Sequence, residues 1–204
     1  MGWYQHLFAH VLAWGDDTQH AVYGDRKRAL FADLSGTVVE IGPGTGVNLP
    51  YFPSGIRWIG LEPNPHMHPF IHEEATQHGI EAEIRTASAE ATGLPSASAD
   101  AVISTLVLCS VDDLDAVLTE IRRILKPDGR FYFIEHVAAP AGSWLRTLQG
   151  AIKPLWKPLA DGCRPDRNTG VAIESAGFSE VKYEAFRADV PVVTPHIIGT
   201  ARAA

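Results

Sequence analysis

The stretch VVEIGPGTGVNLPYF, Val38 to Phe52, decides how the rest of the chain reads. It is an apolar, β-rich run ending in a glycine-rich turn, an arrangement that holds a nucleotide or cofactor at the tip of a strand. The turn departs from a dinucleotide fingerprint. That motif, G-x-G-x-x-G, requires a sixth-position glycine where Val47 stands, and the spacing here is G-x-G-x-G through Gly42, Gly44 and Gly46. Pro43 removes one backbone N–H from a loop that would need its donors for a pyrophosphate. Glu40, just before the turn, would repel phosphate and attract an ammonium or sulfonium group. The loop therefore suits a cationic cofactor.

A second acid, Glu62, stands at the end of the next apolar run, 22 residues after Glu40. A carboxylate there accepts both hydroxyls of a ribose. Alone, a G-x-G-x-G turn is structural and a strand-end acid is merely solvated. Two acids at adjacent strand tips, with a loop of close backbone approach between them, predict an adenosyl group joined to a positively charged amino acid: S-adenosylmethionine.

Outward from this loop, short β-rich runs alternate with helical periods, which predicts a parallel sheet covered by helices on both faces. The strands are expected at 37–42, 56–62, 80–87, 99–108 and 130–137. Between them NPHMHPFIHEEATQHG is a helix stopped by Gly79, and DDLDAVLTEIRRILKPDG a helix stopped by Pro127 and Gly129. In the latter, Leu114, Val117, Leu118, Ile121, Ile124 and Leu125 follow the 3.6 period, with acids in the first turn and bases in the last. A further helix is expected from Asn168 to Ala176, stopped by Gly177. FSEVKYEAF and VPVVTPHIIGTA then form a C-terminal antiparallel hairpin. Residues 138–167, rich in Trp and Pro, read as an insertion covering the carboxyl ends of the strands, where open α/β sheets keep their ligands. Residues 1–30 read as an N-terminal helical lid. Its Trp3, Tyr4, Leu7, Phe8, Val11, Leu12 and Trp14 fit one apolar stripe, serving either core packing or a cover over the cofactor. Trp144, Leu148 and Trp156 are candidates for the opposite wall of an acceptor pocket.

The chain of 204 residues, 46% hydrophobic, fits a single domain over 1–204 with one buried core. A formal charge of −7 without a long basic run argues against a grip on nucleic acid. Cys109 and Cys163 make neither a C-x-x-C pair nor a disulfide framework, which favours a reduced, cytoplasmic protein. The N-terminal run has neither the charged start of a secretory peptide nor the roughly 20 apolar residues of a membrane span, so no stable membrane anchor is expected.

The motifs together resemble the class I S-adenosylmethionine-dependent methyltransferases: VVEIGPGTG the first motif, LEPNPHM the second, TASAEATGLP the third, ADAVISTLVLCSV the fourth, and ILKPDGRFYFIEH the strand-five region. The resemblance implies a Rossmann-like fold and carries residue roles with it. Glu40 would face the methionine amino group, with Gly42, Gly44 and Gly46 lining the backbone. Glu62 would hold the ribose, Pro63, Asn64 and Met67 the adenine side, and Ala89 and Glu90 the adenine amine. Thr105 and Leu106 would meet the methionine end, with Tyr23 and Asn48 also at the cofactor. From YGDRKRALF onward, and above all in EHVAA (Glu135 to Ala139) and DGC (Asp161 to Cys163), the chain is similar to the methyltransferase-like thiol S-methyltransferases. This implies a small thiol or dithiol as acceptor, in detoxification or self-resistance. The alternatives are an O-, N- or C-methyltransferase of a small metabolite, quinone precursor or phospholipid head group, and a cofactor-binding regulator without turnover.

Thiol methylation is an in-line displacement that alignment and exclusion of water accelerate. A thiol with a pKa near about 8.5 is already partly thiolate at neutral pH, so modest help suffices. The catalytic candidates are His136 as base, Asp161 as its orienting partner or as base itself, and Arg167 to favour the thiolate. Structural roles remain open for all three: His136 bonded to a buried backbone group, Asp161 and Arg167 a pair pinning the covering segment. No metal site is expected. The i, i+4 pair His68 and His72 lacks completing ligands and reads as a solvated helix face, and Cys109 and Cys163 read as buried small hydrophobes.

Overall fold

A computed structural model describes residues 2–204. Seven strands form one sheet in the order β3-β2-β1-β4-β5-β7-β6. The strands are β1 (Thr37–Ile41), β2 (Arg57–Leu61), β3 (Ala82–Arg85), β4 (Ala99–Thr105), β5 (Leu125–His136), β6 (Glu180–Arg187) and β7 (Pro195–Arg202). β1 to β5 run parallel, and β7 inserts antiparallel between β5 and β6. The helices are α1 (Gly2–Phe31), α2 (His68–Gln77), α3 (Leu114–Ile124), α4 (Trp144–Leu159) and α5 (Thr169–Ser175), and the expected Rossmann-like sheet with its C-terminal antiparallel strands is observed.

Two apolar layers explain this arrangement. Successive strand residues point to opposite faces. Val39, Ile41, Ile59 and Leu61 accordingly meet Val117, Leu118, Ile121 and Ile124 of α3 on one face. Val38, Trp58, Ala101 and Ile103 meet Phe31 of α1 and Ile71 and Ala75 of α2 on the other. Each large side chain so buried stabilises by roughly 1.5–3 kcal/mol. At the head of α3, Asp113 accepts from the Ala116 N–H at 3.0 Å, a cap whose loss costs about 1 kcal/mol. Arg122 and Arg123 fill its last turn.

The third predicted helix stops at Ile124, not at Pro127, because β5 has already begun at Leu125. The register between β4 and β5 jumps from Ala99↔Leu125 to Ala101↔Arg130. Pro127 to Gly129 therefore form an irregularity inside the strand, with Asp128 at φ 64°. β4 in turn ends at Thr105, three residues short of expectation, because Leu106 turns to φ 59°.

α1 does not bury one stripe. Phe8 and Leu12 pack inward against the second layer, and Tyr4 donates to the Pro158 carbonyl at 3.0 Å. Trp3, Leu7, Val11 and Trp14 are exposed, Trp14 by 87%. Among the described residues no helix is long and apolar enough to cross a membrane.

Candidate active site

The strand order reverses between β1 and β4, and ligands of open α/β sheets bind outside the carboxyl ends at such a point. A cavity of about 480 Å³ opens there, within the size of small-molecule sites. Its walls come from the glycine turn after β1, the Glu62 segment after β2, the loop after β4, His136 at the end of β5, α1, and the end of α4 with the turn that follows.

The glycine turn is shaped by close approach. Gly42 has φ 58°, and a Cβ there would sit 2.8 Å from Val107 Cγ2, so no larger residue fits. Gly44 lines the cavity and donates its N–H to Glu62 Oε2 at 3.1 Å, while Glu62 Oε1 accepts from Asn64 N at 2.9 Å. Burial raises the Glu62 pKa against these two bonds. Each carboxylate oxygen keeps a second lone pair for a ligand hydroxyl. Gly46 plays another part: it is absent from the lining, and a Cβ there would meet Leu49, Glu74 and Ile71. It serves the packing of the turn on α2.

Glu40 does not reach the cavity. It is 1% exposed, and its two oxygens accept from Asn48 Nδ2 at 2.7 Å and Trp58 Nε1 at 2.9 Å. Burial pushes its carboxyl up to about 7 against those bonds and the attraction of Lys27. Its office is to aim Asn48. With Nδ2 shared between Glu40 and Thr105 Oγ1 at 3.0 Å, Asn48 Oδ1 is left buried without a partner among the described residues. Gln19 Oε1 on α1 is likewise unpartnered, and both residues line the cavity. Unmet buried acceptors are costly unless a ligand donor meets them. Two of them in one lining have the chemistry to meet the ammonium of S-adenosylmethionine, and the free lone pairs of Glu62 have that to meet its ribose hydroxyls. Pro63, Asn64, Met67, Ala89, Glu90, Thr105 and Leu106 are also in the lining. Tyr23 is not: its hydroxyl bonds His196 Nε2 at 2.9 Å.

At the acceptor end, His136 Nε2 lies 3.1 Å from Cys163 Sγ and its Nδ1 is buried without a partner among the described residues, so Asp161 does not orient it. Trp156 Nε1 donates to the same sulfur at 3.3 Å. Cys163 is buried but not an inert hydrophobe. Cys109 beside it, and then hydrogen bonding from His136 and Trp156, draws its pKa below the ordinary thiol value although burial opposes this. The bond to Cys163 and burial raise Cys109 in turn. Asp161 stands at the cavity wall with φ 44°, its carboxyl raised by burial. Arg167 lies outside the lining and donates to the Leu108 carbonyl at 2.6 Å and the Val111 carbonyl at 2.7 Å. It braces the loop after β4 instead of facing an acceptor. Of the three expected wall residues on the covering segment, only Trp156 lines the cavity; Trp144 is 76% exposed.

Glu135 braces the same loop from beneath. It is fully buried and accepts from Ser104 Oγ at 2.6 Å and from the Val107 and Leu108 N–H groups at 3.2 Å. These contacts hold Leu106 in its left-handed conformation, which costs of order 1–3 kcal/mol. Sequence reading missed Glu135, Gln19 and the Cys109–His136–Cys163 grouping. The EHVAA and DGC strings hold Glu135, His136 and Cys163, but Gln19 and Cys109 lie in neither.

A methyltransferase-domain family model matches residues 39–133. Human thiol S-methyltransferase TMT1B is 38% identical over 191 residues, covering 86% of this chain and 78% of that protein. Human TMT1A is 36% identical with the same coverage. Among solved structures, a methyltransferase of Thermotoga maritima, titled a possible histamine N-methyltransferase, superposes with a TM-score of 0.71 over 100% of both chains at 21% identity.

Proposed function

The chain belongs to the S-adenosylmethionine-dependent methyltransferases, in the family of the thiol S-methyltransferases, and from that premise we propose that it methylates the sulfur of a small, apolar thiol. The observation that carries this reading is one continuous cavity. The glycine turn, Asn48 and Glu62 lie at one end, and Trp156, Asp161 and the His136–Cys163 pair at the other. Detoxification of reactive thiols is a role consistent with it, in a reducing cytoplasm that keeps Cys109 and Cys163 free.

When bound, S-adenosylmethionine supplies an electrophilic methyl on a sulfonium sulfur. The protein supplies position and dryness. Asn48 and Gln19 hold the ammonium, Glu62 the ribose, and Gly42 admits the ligand backbone. Phe8 and Leu12 of α1 and Trp156 of α4 exclude water from the reacting sulfur, strengthening every electrostatic contact inside. The acceptor's thiol proton passes to Asp161 and on to solvent. Arg167 and Glu135 keep the loop between the two halves in one shape.

The test incubates the protein and isotope-labelled cofactor with thiols, phenols, amines and lipids, using wild type and Asp161→Asn side by side across pH 6 to 9. Label in small apolar thiols, with the variant slowed most at the acid end where thiolate is scarce, is expected. Transfer to oxygen or nitrogen alone would overturn the thiol reading. Tight cofactor binding without transfer would favour a regulator, and an unaltered pH profile in the variant would remove Asp161 as proton acceptor.

A further inference from the structure

Cys109, His136 and Cys163 come from three different segments, and their ligating atoms all lie within 4.8 Å of one another. The three residues are 2%, 4% and 8% exposed, and all three border the cavity at its acceptor end. We propose that they form a Cys2His site for a divalent cation of the zinc class, with its open position facing the cavity and taking the acceptor's sulfur. The ligand set stands independently of the thiol reading; only the occupant of the open position rests on it.

The donor chemistry selects the ion. Two thiolates and an imidazole are soft and borderline donors, suited to zinc and unsuited to magnesium or calcium, which require oxygen. Three protein ligands and one free position are the pattern of a site that takes a small molecule, whereas structural zinc is enclosed by four. Zinc bonds of about 2.3 Å to sulfur and 2.0–2.1 Å to nitrogen fit donors grouped this closely. The 3.1 Å between His136 Nε2 and Cys163 Sγ needs only to open by a few tenths of an ångström.

The surroundings hold the three in place. His136 ends a strand paired on its far side with β7. Cys109 sits in the loop that Glu135 and Arg167 brace. Cys163 is drawn to it by a second turn: Arg164 N donates to the Cys109 carbonyl at 3.0 Å, and Gly162, at φ 86°, packs where a Cβ would stand 3.0 Å from the Ser110 carbonyl oxygen. Trp156 Nε1–H, 3.3 Å from Cys163 Sγ, is the kind of outer hydrogen bond that fixes and tunes a ligating thiolate. A metal here would bind the acceptor as thiolate, since a coordinating thiol is deprotonated outright. The S–H bond breaks, its electron pair becomes the metal–sulfur bond, and the proton leaves to solvent.

The experiment loads reduced protein with one equivalent of zinc or cobalt(II) under a phosphine reductant, and removes unbound metal. Elemental analysis of wild type should return one metal per chain. The cobalt form should show thiolate-to-cobalt charge transfer and the visible bands of a tetrahedral ion. Both should be lost in Cys109→Ser and Cys163→Ser. Trp156→Phe, which keeps every ligand, should weaken binding by about tenfold. Adding a small alkyl thiol without cofactor should shift the visible bands, a readout that needs no turnover. No retained metal, or metal retained equally by the Cys163→Ser chain, overturns the site. Visible bands blind to the thiol overturn the open position. If metal binds as described but no thiol is methylated, the site stands and the acceptor reading falls. Full-rate thiol methylation by metal-free protein leaves the acceptor reading standing and overturns the open position as the place where the acceptor's sulfur binds for transfer.

Discussion

Glu40 is the residue whose charge first pointed to a cationic cofactor, yet its carboxylate acts one step removed, through Asn48. Two donors converge on it, Asn48 Nδ2 at 2.7 Å and Trp58 Nε1 at 2.9 Å. A Glu40→Gln amide has one acceptor oxygen and a donor NH2 group. Trp58 keeps the oxygen, and Asn48 must then flip so that its own oxygen meets the new NH2. That flip turns Asn48's hydrogens toward the ligand ammonium. Cofactor affinity should fall by roughly tenfold, about 1.4 kcal/mol, measured by calorimetry with S-adenosylmethionine. An unchanged Kd in a folded variant would show that Asn48 Oδ1 does not meet the ligand. The turn, Glu62 and the strand-tip residues were legible because each belongs to a local motif. Cys109, His136 and Cys163 were not, since His136 and Cys163 lie 27 positions apart and meet only through loop packing that no periodicity encodes. Arg167 was read as catalytic for a related reason: an arginine's sign is visible in sequence, but the carbonyls it will find are not.

Elements are tied together by contacts of the same indirect kind. His196 on β7 joins that strand to α1: its Nε2 meets the Tyr23 hydroxyl at 2.9 Å and its Nδ1 the Thr194 carbonyl at 3.1 Å. The imidazole must stay neutral to accept from Tyr23 while donating to Thr194. Burial lowers its pKa to about 4. An unfolded histidine protonates near about 6.5, so between that value and about 4 the unfolded chain binds the extra proton. Stability from this group is therefore full above about 6.5 and falls as the pH drops toward 4. Urea midpoints from pH 7.5 to 4.5 should show this loss in wild type and a shallower one in His196→Gln, whose side-chain oxygen can still accept from Tyr23. Parallel slopes would mean that the link does not titrate. The fold's elements were readable where one force dominates: the 3.6 period and Asp113 cap of α3, or the apolar runs of β1 and β2. They misread where two signals compete. Pro127 and Gly129 look like a helix stop but lie within β5, and the aromatic run of α1 divides between core and solvent because neighbouring positions on a helix point about 100° apart.

At the scale of the molecule, the mixed sheet is the common ground and α1 is the part that spans core and site. Its C-terminal half is fixed by Tyr23, Lys27 and Phe31, all buried. Its first five turns supply Phe8, Leu12 and Gln19 to the cavity while leaving Trp3, Leu7, Val11 and Trp14 in solvent. A helix segment that buries one narrow side opens at low free energy. When the cavity is filled, that opening must also break the ligand's contacts. The ligand then protects any segment whose opening destroys the site by about 2.7 kcal/mol at a hundredfold excess over Kd, a roughly hundredfold slowing of amide exchange. Hydrogen exchange with and without S-adenosylhomocysteine should show that slowing in the first five turns of α1 and in the glycine turn. Exchange should change little in β6, whose residues are absent from the lining. Protection of the glycine turn alone would mean that α1 is a bystander to binding, and that water is kept from the reacting sulfur by the α4 side only.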